Sequence, residues 1–265
     1  MQKNDFKIVI PARYASTRLE GKPLIKIAGK TMLQHTYARA CSSAAQEVYI
    51  ATDDQRIETS ARQYTTSIVM TLASHRSGTD RLAEVVEKLA WQDDVIVVNV
   101  QGDEPLILPE HINSVAQALI DNPEAGIATL CYKIQSSEEL FDPNVVKVVR
   151  DKRDFALYFS RAVIPWCRDE FADGNFNSNQ KLPDDIEFYR HIGIYAYRVK
   201  VLREYCQLDS VAIERLESLE QLRALAHGIK IHVGTTAEQP GHGVDVEKDL
   251  EIVERLLSNS PNNRN

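Results

Sequence analysis

Three cations, Arg13, Arg18 and Lys22, fall within ten residues directly after a short apolar, β-branched run, Ile8-Val9-Ile10. A strand that empties into a basic loop of small residues suits a polyphosphate. The cations neutralise it, and backbone N–H groups approach it closely where side chains are small. The loop is not a P-loop, because no G-x-x-x-x-G-K-[ST] occurs in the chain, and no G-x-G-x-x-G follows the strand either. A surface loop with solvated cations is the alternative for any one of the three. Their clustering in an acidic chain favours a phosphate site.

The second chemical signal is Val97-Val98-Asn99-Val100-Gln101-Gly102-Asp103-Glu104-Pro105. An apolar strand ends at a glycine and then presents two carboxylates. Such an aspartate can ligate Mg²⁺, a hard cation that takes oxygen donors and shares its shell with phosphate; it can equally be a turn aspartate bonding its own backbone. Asp245, in Gly241-His242-Gly243-Val244-Asp245, can supply a second carboxylate or cap the last helix. Lys248 three positions on excludes a capping box there. In His75-Arg76-Ser77-Gly78-Thr79-Asp80-Arg81, Ser77 or Thr79 can cap a helix whose free N–H groups also reach a phosphate or a base edge. Arg161, His191 and Tyr195 stand among apolar neighbours. A guanidinium in such a setting needs a carboxylate or phosphate partner, whereas a lone histidine there is more often structural. His35, His111, His227 and His232 have no comparable setting, and no Ser/His/Asp or Cys/His arrangement can be read from spacing.

The elements that must position these residues alternate in the first half. Strands are expected at 6–10, 47–51, 67–70 and 95–100, with helices at 31–45, 54–64, 79–91 and 109–121. Leu33, Tyr37, Cys41 and Ala44 are predicted to face the sheet. This alternation implies right-handed βαβ units in a parallel sheet covered by helices, with ligands beyond the carboxyl ends of the strands. The phosphate loop, Thr52-Asp53-Asp54 and Gln101–Pro105 should therefore share one rim. In the second half, strands are expected at 144–150, 155–160, 193–198 and 230–235, and helices at 199–206, 213–226 and 246–257. The polar stretch 168–185 reads as a loop and 258–265 as a frayed tail.

The 265 residues allow one large α/β domain or two small ones. With 31 basic and 38 acidic residues the net charge is −7, which disfavours general nucleic-acid or anionic-membrane binding. Four scattered cysteines form no zinc or disulfide pattern. With no signal-type or bilayer-length apolar run, the expectation is a cytoplasmic protein.

Together these motifs resemble the 3-deoxy-manno-octulosonate (Kdo) cytidylyltransferases, from Ile8 to about Leu256. Pro11-Ala12-Arg13 through Lys22-Pro23-Leu24 is shared with many sugar nucleotidyltransferases. The runs Tyr158-Phe159-Ser160-Arg161, Arg190-His191-Ile192-Gly193-Ile194-Tyr195 and Leu219-Glu220-Gln221-Leu222-Arg223 are more specific to the Kdo branch. The chain departs from the family in having Glu20 in place of the usual Pro, and Val246-Glu247 in place of Thr-Pro.

The resemblance implies an α/β fold with a Rossmann-like, mostly parallel sheet, helices on both faces and a smaller antiparallel dimerisation portion. It implies one nucleotidyltransferase domain, with residues 6–135 binding CTP, 136–235 binding the sugar and dimerising, and 236–257 returning to the metal site. CTP and Kdo would give CMP-Kdo and pyrophosphate, in a homodimer serving lipopolysaccharide synthesis. Pro11, Ala12, Arg13, Arg18, Lys22, Arg76, Ser77 and Gln101 would bind CTP; Asp103 and Asp245 would hold Mg²⁺, which lowers the pKa of the attacking hydroxyl. Arg13, Lys22, Asp103 and Asp245 would carry catalysis. Arg161, His191, Tyr195, Glu220 and Gln221 would line the sugar pocket. Enzymes for a related keto-acid sugar (8-amino-Kdo or a sialic acid) would differ only in that pocket. A non-catalytic binding module would have no need of both aspartates.

Overall fold

Short Val- and Ile-rich runs form buried strands, and capped amphipathic segments between them form helices, in a computed structural model that describes residues 6–15, 19–75, 77–171, 181–183 and 186–258. Arg18, Arg76, much of the polar stretch 168–185 and the tail from 259 lie outside the described residues. In chain order the first elements are β1 (Phe6–Ala12), a 3₁₀ turn (Lys22–Leu24), β2 (Lys26–Ile27), β3 (Lys30–Thr31), α1 (Met32–Cys41), β4 (Glu47–Thr52), α2 (Gln55–Ala61), β5 (Ile68–Met70), α3 (Gly78–Lys88), β6 (Ile96–Asn99) and α4 (Pro109–Asp121). There follow β7 (Ile127–Lys133), α5 (Ser137–Phe141), β8 (Lys147–Arg150), β9 (Ala156–Ser160), β10 (Tyr189–Arg198), α6 (Val199–Tyr205), α7 (Ala212–Glu217), α8 (Gln221–Ala226), β11 (Ile231–Thr236) and α9 (Glu247–Ser258).

The chain divides into two compact units: residues 1–116, 196–206 and 240–265 form the first, and 117–195 and 207–239 the second. In the first unit the strand order is β6-β1-β4-β5, all parallel, with Ile8 opposite Val48 and Val98. Ile8, Val9, Ile10, Ile50, Val97 and Val98 are fully buried, which is why the strands read as unbroken apolar runs rather than alternating ones. In the second unit β11 and β7 pair in parallel, and β8 pairs antiparallel with both β9 and β10. A separate cluster of Ile134, Leu140, Val145, Phe171 and Phe188 forms core there. This is the α/β, mostly parallel architecture with a smaller antiparallel portion. No helix among the described residues is long and apolar enough to cross a membrane.

Several expectations are corrected. Helix α1 stops at Cys41, which is exposed; Met32, Leu33, Thr36 and Ala40 form the buried stripe instead, Tyr37 is half-buried, and Ala44 is buried beyond the helix end. The Ser42 and Ser43 hydroxyls donate to the Ala38 and Ala40 carbonyls (3.0 and 2.6 Å) and end the helix early. The single helix expected at 213–226 is two, broken at Ser218 (φ 53°, ψ 48°). β7 had no counterpart in the pattern, because six of its seven residues are buried and it lacks alternation.

Candidate active site

The carboxyl ends of β1, β4 and β6 place three loops of the first unit on one rim, as the parallel topology requires. A cleft of about 220 Å³ opens there, bounded by Pro11, Ala12 and Arg13 after β1 and by Gln101, Gly102 and Asp103 after β6. Ser77, Lys22 and Asp245 complete it. Every residue expected to bind CTP that lies among the described residues is therefore brought to this cleft.

Lys22 is the centre of the arrangement. It starts the 3₁₀ turn, is 8% exposed, and donates from Nζ to Asp103 Oδ2 (2.6 Å) and Asp245 Oδ1 (3.4 Å). The two aspartates are 142 positions apart, and a backbone hydrogen bond from Val244 N to Asp103 O (3.0 Å) ties their loops together. The 241–245 turn also packs so tightly that a Cβ on Gly241 would overlap the Leu106 carbonyl, so only glycine fits there. Asp245 does not cap α9. That task falls to Asp249, which accepts from the N–H groups of Asp245 (2.8 Å) and Val246 (2.9 Å), while the Asp245 carboxylate accepts from Lys22. Glu104 sits beside the pair, and burial together with the fields of Asp103 and Asp245 raises its carboxyl to about 8.

Two carboxylates converging on one cation present hard oxygen donors. Among the described residues no group of three or more His, Cys, Asp and Glu is arranged to hold a metal. Mg²⁺, which keeps several waters and takes phosphate oxygens, fits a two-carboxylate set.

Ser77 caps α3: its hydroxyl accepts from Asp80 N, and Asp80 Oδ2 accepts from Ser77 N, both at 3.2 Å. The pattern offered Ser77 or Thr79, and the structure selects Ser77. Sequence reasoning passed over two residues that also line the cleft, His75 and Arg81. His75 is held by Glu84, and Arg81, 3% exposed, is held by Thr71 and an ion pair to Asp53 at 3.4 Å. Arg81 follows Ser77 by one helical turn, and that spacing was the available signal.

The expected sugar residues Arg161, His191, Tyr195, Glu220 and Gln221 all lie in the second unit. Arg161 donates from Nε to the Glu217 carbonyl (2.7 Å) and from Nη1 to the Pro143 carbonyl (3.1 Å), which orients its guanidinium. Glu217, absent from the motif reading, holds the β9 end through Ser160 Oγ (2.6 Å) and Arg161 N (2.9 Å). The break at Ser218 aims the Glu217 carbonyl back at Arg161. Lys147, fully buried, donates to the carbonyls of Asp142, Val145 and Arg161 at 3.0, 2.6 and 2.6 Å. Gln221 is 8% exposed, and its Nε2 has no hydrogen-bond partner among the described residues. Glu220 is exposed. The His191 ring stands 5.4 Å from that of Tyr195 and edge-on to Phe159 at 5.0 Å.

Burial, aided by the Arg190 charge, pushes the His191 imidazole down to about 3. Thr129 Oγ1 lies 2.9 Å from His191 Nε2 and 3.0 and 2.7 Å from the Ile192 and Ile194 carbonyls; with its single proton given to either carbonyl, the hydroxyl accepts from Nε2–H and Nδ1 is the ring's acceptor. A consequence follows for stability. The unfolded imidazole titrates near ~6.5 and the folded one near 3, so between these values the unfolded chain binds the extra proton and stability falls as pH falls. His191→Gln is expected to show a shallower loss of urea midpoint from pH 7 to pH 4 than the parent. Parallel profiles would show that His191 protonates freely in the fold.

The fold and the rim-borne cation–carboxylate cluster define a nucleotidyltransferase class of protein. The cytidylyltransferase family model matches residues 7–231. A 3-deoxy-manno-octulosonate cytidylyltransferase from Hahella chejuensis is 54% identical over 255 residues, covering 96% of this chain and 98% of that protein. Another of the same name from Alcanivorax borkumensis is 55% identical over 252 residues, 95% of this chain and 98% of its own. A solved structure of a CMP:2-keto-3-deoxy-manno-octonic acid synthetase complexed with CTP matches with a TM-score of 0.85 and 43% identity, over 96% of this chain and 98% of that one. The chain belongs to the 3-deoxy-manno-octulosonate cytidylyltransferase family.

Proposed function

We infer that the chain transfers the cytidylyl group of CTP to 3-deoxy-manno-octulosonate. The anomeric hydroxyl oxygen bonds to the α-phosphorus, the bond from that phosphorus to the β-phosphate oxygen breaks, pyrophosphate leaves, and the hydroxyl proton is lost. The observation that carries this reading is the convergence of Lys22, Asp103 and Asp245 in one cleft, in a chain more than half identical to relatives so named.

Catalysis of this kind is mostly positioning and charge neutralisation. Arg13 and Lys22, with Arg18, neutralise the triphosphate and the departing pyrophosphate. Pro11, Ala12, Ser77 and Gln101, with Arg76, position the nucleoside. Asp103 and Asp245 would hold Mg²⁺, which supplies Lewis-acid charge and a lowered pKa for the attacking hydroxyl. Arg161 pairs with the Kdo carboxylate, and neutral His191 offers Nδ1 to a sugar hydroxyl. The unpartnered Gln221 Nε2 supports a polar ligand at its side. Tyr195 and Glu220 complete the sugar side. A cytoplasmic homodimer serving lipopolysaccharide synthesis fits this chemistry. Leu157, Trp166 and Leu216 of the second unit, 62%, 56% and 84% exposed, support contact between copies.

The test is pyrophosphate release with CTP and Mg²⁺ across Kdo, 8-amino-Kdo and a sialic acid. Kdo is expected to be preferred; preference for either other sugar reassigns the substrate, and no release with any of them defeats the reading. Arg161→Ala is expected to raise KM for Kdo by the equivalent of ~2–5 kcal/mol, the usual loss when one partner of a buried charge pair is removed. KM for CTP should hardly move. Arg161→Lys should recover only part, because an ammonium lacks the planar fork. An equal rise in both KM values would make Arg161 a nucleotide or structural residue.

A further inference from the structure

The outer side of the phosphate loop carries a set of contacts that the reaction scheme does not use. Gly21 N donates to Tyr14 O (3.0 Å) and closes the loop at its base. Gly21 has φ +66°, and a Cβ on it would stand 3.0 Å from Tyr14 Cζ and 3.1 Å from its Oη, so the tyrosine ring lies against this backbone. Gly21 O then accepts from Leu24 N (2.8 Å) and starts the turn that carries Lys22. The ring thus lies against the residue next to Lys22.

The ring is itself held. Arg56 Cζ lies 3.3 Å from its centroid, a stacked cation–π contact. The Arg56 fork is anchored on Asp54, Nε to Oδ1 at 3.0 Å and Nη2 to Oδ2 at 2.7 Å. Asp54 is in turn fixed as the cap of α2, accepting from Arg56 N at 2.8 Å. Arg56 also feels the carboxylate of Glu20, the sole acidic residue between Arg13 and Lys22.

We propose that Arg56 is a positioning residue of the nucleotide site: stacked on Tyr14, whose ring lies against Gly21, it holds the base of the phosphate loop beside Lys22, and its charge also balances that of Glu20. The inference rests on the reading of the cleft as the CTP site. Arg56 is not among the residues that line the cleft. Its effect is pre-organisation, which lowers the ordering cost of binding, plus a local charge balance that salt screens.

The test uses the full chain with CTP and Mg²⁺ by titration calorimetry, KM for both substrates, and thermal melts. Arg56→Ala is expected to weaken CTP binding about 3- to 5-fold, the scale of an exposed cation–π contact. KM for Kdo and the melting temperature should be unchanged, since Asp54 still caps α2. Arg56→Lys should be intermediate. Glu20→Gln alone should leave CTP affinity as it is, yet recover part of the loss when combined with Arg56→Ala. A structural effect of Arg56 would not produce that rescue. Arg56→Ala with parental CTP affinity overturns the proposal. So does a loss that Glu20→Gln leaves untouched and that comes with a lower melting temperature and a raised KM for Kdo. Failure of the parent itself to bind CTP overturns the cleft reading, and the clamp with it.

Discussion

Asp103→Ala and Asp245→Ala are each expected to lower turnover by about 10³-fold or more while the fold melts normally. The loss corresponds to several kcal/mol of transition-state charge stabilisation, the scale of a bound metal's contribution, at ~1.4 kcal/mol per tenfold. The fold should tolerate both changes because neither side chain is core: Asp103 is 38% and Asp245 69% exposed, and Asp249 rather than Asp245 caps α9. Turnover measured across a Mg²⁺ titration, with thermal melts alongside, checks this. The half-saturating Mg²⁺ concentration should rise in both variants. Near-normal turnover at saturating Mg²⁺ in either one would remove that aspartate from the metal site.

Lys22→Ala is expected to cut kcat/KM for CTP by about 10²-fold or more and to leave KM for Kdo nearly unchanged. Hydrogen bonds to charged groups contribute ~1.5–3 kcal/mol each, and the buried Lys22 ammonium, which bonds both aspartates, would meet the phosphates in the proposed site. A second readout distinguishes it from a surface lysine. With Mg²⁺ held by Asp103 and Asp245 as proposed, the ammonium would compete with it for both, so its removal should lower the half-saturating Mg²⁺ concentration even as turnover collapses. Steady-state kinetics in both substrates, repeated over a Mg²⁺ series, give all three quantities. Unchanged CTP affinity together with unchanged turnover would leave Lys22 no role in the site.

The first unit was the more legible part of the chain. β1, β4 and β6 are short, largely buried β-branched runs, and the helices α1, α2 and α3 of that unit begin at identifiable caps: Thr31, Asp54 and Ser77. Once the strands are parallel, the loops after them share a rim, which is why Arg13 and Asp103 were expected near each other. The second unit was harder to read. β7 is buried throughout and carries no periodicity. The helical pattern over 213–226 gave no sign of the break at Ser218, since that break serves a contact with Arg161, a residue 57 positions away.

What the amino-acid sequence determined by itself was chemical identity: a basic loop after the first strand, carboxylates at glycine-bearing turns, and the runs that mark the Kdo branch. Tertiary structure alone decided which groups meet. Lys22 could be read as a phosphate ligand from its loop, but its placement between Asp103 and Asp245 depends on the Val244–Asp103 backbone bond and the close approach at Gly241. Glu217, Lys147 and Arg56 were invisible because each makes at least one contact with a residue distant in the chain: Glu217 with Ser160 and Arg161, Lys147 with the Arg161 carbonyl, and Arg56 with the Tyr14 ring. Local sequence encodes dihedral preference and burial period, interactions that decay within a few residues. Side-chain convergence is set by long-range packing, and no short window of sequence contains it.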